Sequence, residues 1–270
     1  LIFSFCRSLG PKKALILDPC FSEYETALRA ARCEVAHFAL DKETDFQLKR
    51  DFLPFLEGFD GDALMLCNPN NPTGQIISRE MLEEILTICE RRKMFLFIDE
   101  CFLDLTDGGD CLTMKPYLQT HQNLFLLKAF TKSYGMAGLR LGYCLCGNAS
   151  LLRTMGQTVQ PWNVSVPAQK AGVAALKQTA FLEKAKQTIR EQRTALTGGL
   201  RELGLRVIGS HTNYILFYSD RELREPLLEK GIQIRSCANY PGLETGWYRI
   251  AVKLPRENET LLAALKEILR

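Results

Sequence analysis

The sequence lacks any apolar run long enough to span a bilayer, and it lacks a strong bias toward one charge. Lysine plus arginine exceeds aspartate plus glutamate by 34 − 31 = +3, and no basic run stands out. Nucleic acid and membrane surfaces are therefore poor candidate partners. Residues 1–6 are too short for a signal peptide and follow no basic segment, and the chain shows no internal repeat.

The residue spacings that are typical of metal and disulfide sites are also missing. Ten cysteines occur without a CxxC pair, and the three histidines are isolated from one another. Cys33, Cys67, Cys89 and Cys146 fall inside apolar segments, where a free thiol behaves as a small hydrophobic side chain. We therefore expect no bound metal, free thiols and a reducing cytoplasm as the location.

Residues 1–153 alternate short apolar runs with amphipathic segments, which predicts an α/β domain with a mostly parallel, doubly wound sheet. Helices are predicted from a capping box at Ser22, over residues 45–56 and from a cap at Ser78. Residues 154–270 read as a long helical stretch, short strands and two further helices, which predicts a smaller α+β domain. The strands predicted for the first domain are residues 14–17, 33–38, 63–67, 94–98, 123–127 and 141–146.

Three polar side chains, Asn71, Asp99 and Lys132, come just after predicted strands, where ligands of such sheets collect. A carboxylate at the buried end of a strand needs a partner, and a pyridine nitrogen kept protonated by Asp99 is one candidate. A helix cap or a structural ion pair is the alternative. Asn71 could donate its amide to a ligand oxygen, or it could serve only the turn that residues 68–74 form.

Lys132 lies in a loop of Thr, Ser and Gly residues, and Arg140 follows eight residues later before another apolar run. Small residues and hydroxyls let the backbone close around an anion, and an arginine can bind a phosphate with two donors. A lysine held among apolar neighbours can lose its proton and act as an amine nucleophile. Together these features predict bound pyridoxal phosphate, with a surface loop carrying two solvated charges as the alternative.

Two arginines of the second domain, Arg235 and Arg249, adjoin short β-like apolar runs. Two such cations in one cleft suit a substrate with two anionic groups, and ordinary surface ion pairing is the alternative. Phe21 follows the first strand and could stack on a bound ring, although ordinary core packing explains it equally simply.

The ordered set of Asn-Pro-Thr-Gly, Asp-Glu, Thr-Lys and Gly-Leu-Arg segments resembles fold-type I pyridoxal-phosphate enzymes of the class I/II aminotransferase family, across essentially the whole chain. The resemblance also implies a homodimer with a site built across the interface. The family normally carries an N-terminal arm and a first phosphate loop before the first strand seen here. We expect that this segment is missing from the chain as given, and a truncated paralogue is the alternative. By the same resemblance, Lys132 bonds the cofactor aldehyde, Asp99 pairs with the pyridine nitrogen, Asn71 bonds the ring oxygen, Thr131 and Arg140 hold the phosphate, Phe21 stacks on the ring, and Arg249 grips a substrate anion.

Within that family, residues 19–25, 99–104, 160–164 and 234–243 look like the threonine-phosphate decarboxylases of cobalamin biosynthesis. This resemblance implies decarboxylation of L-threonine O-3-phosphate to aminopropanol phosphate. Aminotransfer on histidinol phosphate or a related phosphorylated amine or amino acid stays open as an alternative. A non-catalytic ligand-binding module on the same fold is the third alternative, because fold does not settle function.

Overall fold

The computed structural model describes residues 1–270, apart from the side chain of Asp110. Its strands form a six-stranded sheet in the order β2-β1-β3-β4-β5-β6 and a four-stranded sheet in the order β7-β8-β10-β9. The strands are β1 (Lys13–Asp18), β2 (Glu34–Ala39), β3 (Ala63–Cys67), β4 (Phe95–Asp99), β5 (Leu124–Ala129), β6 (Gly142–Cys146), β7 (Arg206–Val207), β8 (Tyr214–Tyr218), β9 (Arg235–Ser236) and β10 (Trp247–Ala251).

Helices connect most of these strands, and short 3-10 turns cover Lys42–Thr44, Leu103–Leu105, Lys115–Gln119 and Ala137–Leu139. Within the described residues, no helix combines the length and the apolar character that a membrane crossing needs. The helices are α1 (Ile2–Leu9), α2 (Glu23–Ala30), α3 (Phe52–Gly58), α4 (Arg79–Arg91), α5 (Gly109–Leu112), α6 (Phe130–Ser133), α7 (Ala149–Thr158), α8 (Val166–Ala175), α9 (Thr179–Glu202), α10 (Arg224–Glu229) and α11 (Pro255–Leu269).

The large sheet confirms the α/β prediction, and all six strands predicted for it are present. Neighbouring strands from β2 through β5 pair in parallel, and β6 alone runs antiparallel, against β5. The parallel strands β3, β4 and β5 are buried almost throughout, because helices cover both faces of the sheet. Their continuous apolar runs follow from that double burial.

Two separate hydrophobic cores lie on the two faces of this sheet. Successive strand residues point to opposite faces, so Leu15 and Leu64 pack beneath α3 and α4, while Ile16 and Met65 pack beneath α1, α2 and α7. The doubly wound arrangement was therefore readable from the apolar runs, whereas α1 and α7 were not predicted. The predicted domain boundary at residues 153/154 falls inside α7.

Two helix predictions for the first domain need correction. Ser22 makes no side-chain cap bond, because its own backbone already has right-handed helical angles (φ −57°, ψ −24°). The helix predicted over residues 45–56 begins only at Phe52, since Asp45 and Phe46 adopt positive φ values of 54° and 57°. Pro54 consequently lies in the first turn of α3, where its missing N–H costs no helical hydrogen bond.

The second sheet is antiparallel and packs against α9, α10 and α11 through a core that includes Leu200, Phe217 and Leu265. The apolar run before Arg235 predicts a strand over residues 232–235, but pairing with β10 starts only at Arg235, so the observed strand β9 lies further along the chain. Arg235 is therefore a strand residue, directly opposite Arg249.

The second sheet contacts the turn that follows β3. The Tyr214 hydroxyl donates to the Asn70 carbonyl at 2.8 Å, and the Gln75 amide donates to the Gly209 carbonyl at 3.0 Å. A Cβ atom at Gly74, whose φ is +74°, would lie 2.4 Å from the Ser210 hydroxyl oxygen, so only glycine permits this approach. The turn that carries Asn71 is thus held between the two sheets.

Candidate active site

Asp99, the last residue of β4, is a buried carboxylate with two protein donors. The Tyr24 hydroxyl donates to its Oδ2 at 2.7 Å, and the Cys101 amide donates to its Oδ1 at 2.9 Å. Burial raises the pKa of Tyr24 well above its usual value and the charge of Asp99 adds to that rise, so Tyr24 stays a donor. A carboxylate offers about four lone-pair positions, and Asp99 therefore retains capacity to accept from one more donor.

Lys132 is carried by α6, a four-residue helix that starts directly after β5. Phe130 and Ser133 fill the buried side of this helix, so Lys132 points outward and its side chain is exposed. The expectation that the lysine would sit among apolar neighbours is therefore not what the structure shows. Its Nζ does lie 5.1 Å from the centroid of the Phe102 ring, and it faces a cavity.

That cavity has a volume of about 660 Å³ and is lined by Lys132, Arg235, Arg249, Phe102 and Tyr214, among others. Lys132 comes from α6, which directly follows β5 of the large sheet, and the two arginines come from paired positions on β9 and β10. The structure thus brings three cations to one cavity. Lys132 and Arg249 are more than 100 positions apart in the sequence, and local sequence patterns cannot predict a contact over that separation.

Arg249 links the cavity to the turn after β3. One guanidinium nitrogen donates to the side-chain oxygen of Asn71, and the guanidinium carbon lies 5.4 Å from the centroid of the Tyr214 ring. Because Asn71 accepts this bond through its oxygen, its NH₂ group is turned away from Arg249 and can donate elsewhere. Arg249 therefore fixes which end of the Asn71 amide is presented.

Phe21, Thr131 and Arg140 are not among the described residues that line this cavity. Phe21 packs edge to face on Tyr24, with ring centroids 5.6 Å apart, and Tyr24 donates to Asp99. Thr131 is half-buried beside Lys132. Arg140 is exposed, and its guanidinium donates to the Ala137 carbonyl at 3.1 Å. Neither Thr131 nor Arg140 belongs to the cavity lining in the described part of the chain, and their phosphate-binding role stays a prediction.

Two aromatic residues of the site have no role assigned from the sequence. Phe102 falls only within the decarboxylase-like segment 99–104, where by resemblance many aminotransferases carry a tyrosine that binds the ring oxygen. Phe102 and Tyr214 contact each other edge to face at 4.9 Å between centroids, with Lys132 over the first ring and Arg249 over the second. Burial raises the pKa of Tyr214 well above its usual value, so its hydroxyl remains a donor to Asn70. Tyr214 begins an apolar run that predicts a strand over residues 214–218, and no local signal distinguishes it from other strand aromatics.

Lys128 was also missed, although a signal existed. It interrupts the apolar run of β5, and a charge inside such a strand needs a buried partner. The structure supplies two, since Lys128 Nζ lies 2.6 Å from Asp104 Oδ1 and 3.5 Å from Glu100 Oε2. Glu100 is thus a structural partner of Lys128.

Comparison with known proteins identifies the family of this chain. The model of the family described as aminotransferase class I and II matches residues 1–265. This chain belongs to that family. Its members, and the threonine-phosphate decarboxylases among the relatives, depend on pyridoxal phosphate, so the cofactor predicted from the lysine loop is confirmed at the level of the family.

Relatives with two different reactions are similar to this class I and II chain. A threonine-phosphate decarboxylase of Salmonella typhimurium is 36% identical over 272 residues, covering 99% of this chain and 74% of that protein. A histidinol-phosphate aminotransferase of Oleidesulfovibrio alaskensis is 32% identical over 272 residues, covering 97% and 68%. The crystal structure of the histidinol-phosphate aminotransferase from Clostridium acetobutylicum matches with a TM-score of 0.91 at 29% identity, covering 99% and 80%.

The side chains of the site fit the family's cofactor at the ring. Asp99 has acceptor capacity left for a protonated pyridine nitrogen, and the NH₂ group of Asn71 is turned away from Arg249. Lys132 presents an amine to the cavity, and Arg249, which also lines it, contacts Asn71; among the described residues, neither Asn71 nor Asp99 belongs to the cavity lining. The donor set therefore provides an amine, a carboxylate and an amide, which is the chemistry that an aldehyde-bearing pyridine ring requires.

Proposed function

We propose that this protein is a pyridoxal-phosphate-dependent decarboxylase that converts L-threonine O-3-phosphate into aminopropanol phosphate and carbon dioxide, a reaction of cobalamin biosynthesis. The proposal is carried by one observation: Arg235 and Arg249 stand directly opposite each other on β9 and β10 and line one cavity with Lys132. The name of the Salmonella typhimurium relative supports it.

Two arginines at paired positions call for two anionic groups. Directly opposite residues of an antiparallel pair have Cβ atoms about 5 Å apart, and like charges at that spacing destabilise a sheet. An anionic substrate offsets that repulsion. Threonine phosphate carries a carboxylate and a phosphate on a short carbon chain, whereas histidinol phosphate carries a phosphate, an imidazole and no carboxylate. The pair therefore favours threonine phosphate.

The residues that would hold the cofactor are the ones that the family resemblance names. Bound pyridoxal phosphate supplies an aldehyde that condenses with amines and an electron-accepting ring that stabilises negative charge at the substrate Cα. Lys132 would hold the aldehyde carbon, Asp99 the ring nitrogen and Asn71 the ring oxygen. Thr131 and Arg140 would bind the phosphate, and Phe21 would stack on the ring.

The arginines would decide which bond breaks. Only a bond held perpendicular to the ring overlaps its π system, so Arg235 and Arg249 would bind the carboxylate and the phosphate such that the Cα–carboxylate bond takes that direction. Carbon dioxide leaves without the bonding electron pair. Lys132, whose amine faces the cavity, would then return a proton to Cα, which completes the product.

Incubation of the purified, cofactor-loaded protein with threonine phosphate tests this proposal. We expect carbon dioxide and aminopropanol phosphate in equal amounts, with no keto acid. Arg235→Gln and Arg249→Gln should each lower the rate, whereas Arg153→Gln, an exposed change on α7, should leave it unchanged. Release of a keto acid without carbon dioxide would show that the reaction is a different one.

Aminotransfer on histidinol phosphate is the second candidate, because the Clostridium acetobutylicum neighbour with that title has a TM-score of 0.91. The same residues would then direct the Cα–H bond, and Lys132 would move that proton. An amino donor would convert the cofactor to its pyridoxamine form during the half-reaction. Accumulation of that form, measured by absorbance in the absence of keto acid, separates transamination from decarboxylation.

The domain division, the oligomeric state and the cellular location of this protein are further proposals. We infer a division into a large domain over residues 1–153 and a small domain over residues 154–270, a homodimer, and a cytoplasmic location. Limited proteolysis tests the division, and sedimentation equilibrium of the purified protein tests the dimer. A monomer at micromolar concentration with full activity would contradict a site shared between two copies.

A further inference from the structure

Lys128 is a second lysine near the site, four residues before Lys132, and it is almost completely buried. Its Nζ contacts Asp104 Oδ1 at 2.6 Å and Glu100 Oε2 at 3.5 Å. Burial by itself lowers the pKa of Lys128, but the charges of Glu100 and Asp104 outweigh burial and raise it. Lys128 is therefore a fixed cation.

Glu100 and Asp104 are themselves tied to the surrounding backbone and side chains. Glu100 accepts from the Thr113 hydroxyl at 2.7 Å and from the Met114 amide at 2.9 Å. Asp104 uses its second oxygen to accept from the Ser133 hydroxyl at 3.1 Å. Lys128 thus connects the end of β4, the 3-10 turn Leu103–Leu105 and the helix α6 through charged hydrogen bonds.

Ser133 and Phe102, which both lie beside Lys132, are connected to the hydrogen bonds of Lys128, Glu100 and Asp104. Ser133 is 3% exposed, directly follows Lys132 and is one of the two buried residues of the four-residue α6. Phe102, whose ring lies 5.1 Å from Lys132 Nζ, directly precedes the turn that contains Asp104. A helix of one turn has little stability of its own, so its position depends on such tertiary contacts.

We propose that Lys128, acting through Asp104 and Ser133, is a positioning residue that fixes α6 so that the Lys132 amine is held toward the cavity. This inference rests on the proposed role of Lys132 and adds residues that do not touch the substrate. Hydrogen bonds to charged groups are the stronger ones in proteins, and displacement of a reacting group by about 1 Å can cost about 100-fold in rate.

The test measures capture of pyridoxal phosphate by the cofactor-free protein, through the visible absorbance of the lysine-bound cofactor, and needs no substrate turnover. Ser133→Ala should slow capture about tenfold, and Lys128→Met about 100-fold. Lys128→Arg, which keeps the charge, should stay within about threefold of the unchanged protein. Lys170→Met and Ser150→Ala, at exposed positions of α8 and α7, are the matched controls.

The pH dependence of that absorbance provides a second readout that a merely structural role would not move. Without Lys128, the carboxylates of Glu100 and Asp104 are uncompensated, and extra negative charge near an amine favours its protonated form. We therefore expect the absorbance change to move to higher pH in Lys128→Met and to return in Lys128→Arg. Tyr143 also faces Lys128. Burial raises the pKa of Tyr143 more than the charge of Lys128 lowers it, so its pKa lies above the usual value.

Lys132→Ala separates this inference from the proposed function. If Lys132→Ala still forms the lysine-bound chromophore, the proposed role of Lys132 is wrong. If Lys132→Ala abolishes it while Ser133→Ala captures the cofactor at the unchanged rate and with the unchanged pH profile, the positioning role is refuted and the proposed function stands. Should Lys128→Met fail to fold by thermal unfolding, Ser133→Ala and Lys128→Arg still decide the question.

Discussion

Replacement of Arg249 by glutamine is the most informative perturbation of the site. The guanidinium of Arg249 donates to Asn71, lies 5.4 Å from the Tyr214 ring centroid and stands opposite Arg235. Glutamine keeps a polar amide of shorter reach and removes the positive charge. The change therefore removes one half of the proposed two-anion site while leaving the strand pairing of β10 intact.

The expected magnitude follows from the contacts that are lost. A hydrogen bond to a charged group contributes about 1.5–3 kcal/mol, which corresponds to about a 10-fold to 150-fold loss in kcat/KM for threonine phosphate. The cation–π contact adds about 0.5–1 kcal/mol to folding stability, so a small drop in the free energy of unfolding should accompany the kinetic loss. Arg249→Lys should recover only part of the activity, because lysine cannot form a forked pair.

The assay compares carbon dioxide release from threonine phosphate and from threonine, which lacks the phosphate. If Arg249 binds the carboxylate, Arg249→Gln lowers kcat/KM for both compounds by a similar factor. If Arg249 binds the phosphate, Arg249→Gln lowers kcat/KM only for threonine phosphate. Arg235 then binds the carboxylate, and Arg235→Gln lowers kcat/KM for both compounds. Because the two arginines are paired, the double variant should lose less than the sum of the single losses, expressed as free energies.

Two results would refute this reasoning. One is a kcat/KM for Arg249→Gln within twofold of the unchanged protein, with normal cofactor binding. The other is an equal loss in the control Arg153→Gln, which would mean that positive charge anywhere on the protein is enough. Urea unfolding of each variant shows whether a kinetic loss reflects a loss of folded protein.

Three further predictions concern the cofactor lysine, the carboxylate at the end of β4 and acid stability. Lys132→Ala should abolish the visible absorbance of the lysine-bound cofactor without changing the thermal unfolding temperature by more than a few degrees, since the side chain is exposed. Tyr24→Phe removes the 2.7 Å hydrogen bond to Asp99 and should lower the free energy of unfolding by about 1–3 kcal/mol in urea titrations; no change would mean that Asp99 finds another donor. Burial raises the pKa of Asp107, but hydrogen bonds from Arg190 and Arg193 of α9 outweigh burial and lower that pKa from its usual 3.8. The contribution of Asp107 to the free energy of unfolding is therefore complete above about pH 5 and is lost as the pH falls below 3.8 through the folded-state pKa. Asp107→Asn should accordingly lower stability at pH 7 and flatten the change in unfolding free energy between about pH 4 and pH 2; an unchanged acid profile would contradict the assignment.

Local sequence signals located the strand ends of the large sheet well. A strand buried on both faces must be apolar throughout, so the runs before Asn71, Asp99 and Lys132 predicted both the strands and the edge at which they end. The Ser78 cap was confirmed as well, because capping depends on one hydroxyl and an amide three residues on, 3.2 Å apart in the structure.

Predictions that depended on backbone angles or on partners far along the chain were less complete. Ser22 fits a capping pattern but adopts helical angles, and the start of α3 depends on positive φ values at Asp45 and Phe46. Lys128 needs Glu100 and Asp104, and the pattern of β5 alone does not show where those partners lie.

The sequence by itself determined the fold class and the strand ends near Asn71, Asp99 and Lys132, because short apolar runs alternate with amphipathic segments. The family followed from the resemblance of the ordered motif segments, and the family match confirms it. Tertiary structure alone decided that Arg235 opposes Arg249, that Arg249 orients the Asn71 amide, and that Lys132 is exposed beside Phe102. The physical reason is that distant residues come into contact through the order of the strands and their antiparallel register. The packing of the second sheet against the turn after β3 adds further such contacts. Such contacts arise when the whole core is packed, and no local pattern specifies them.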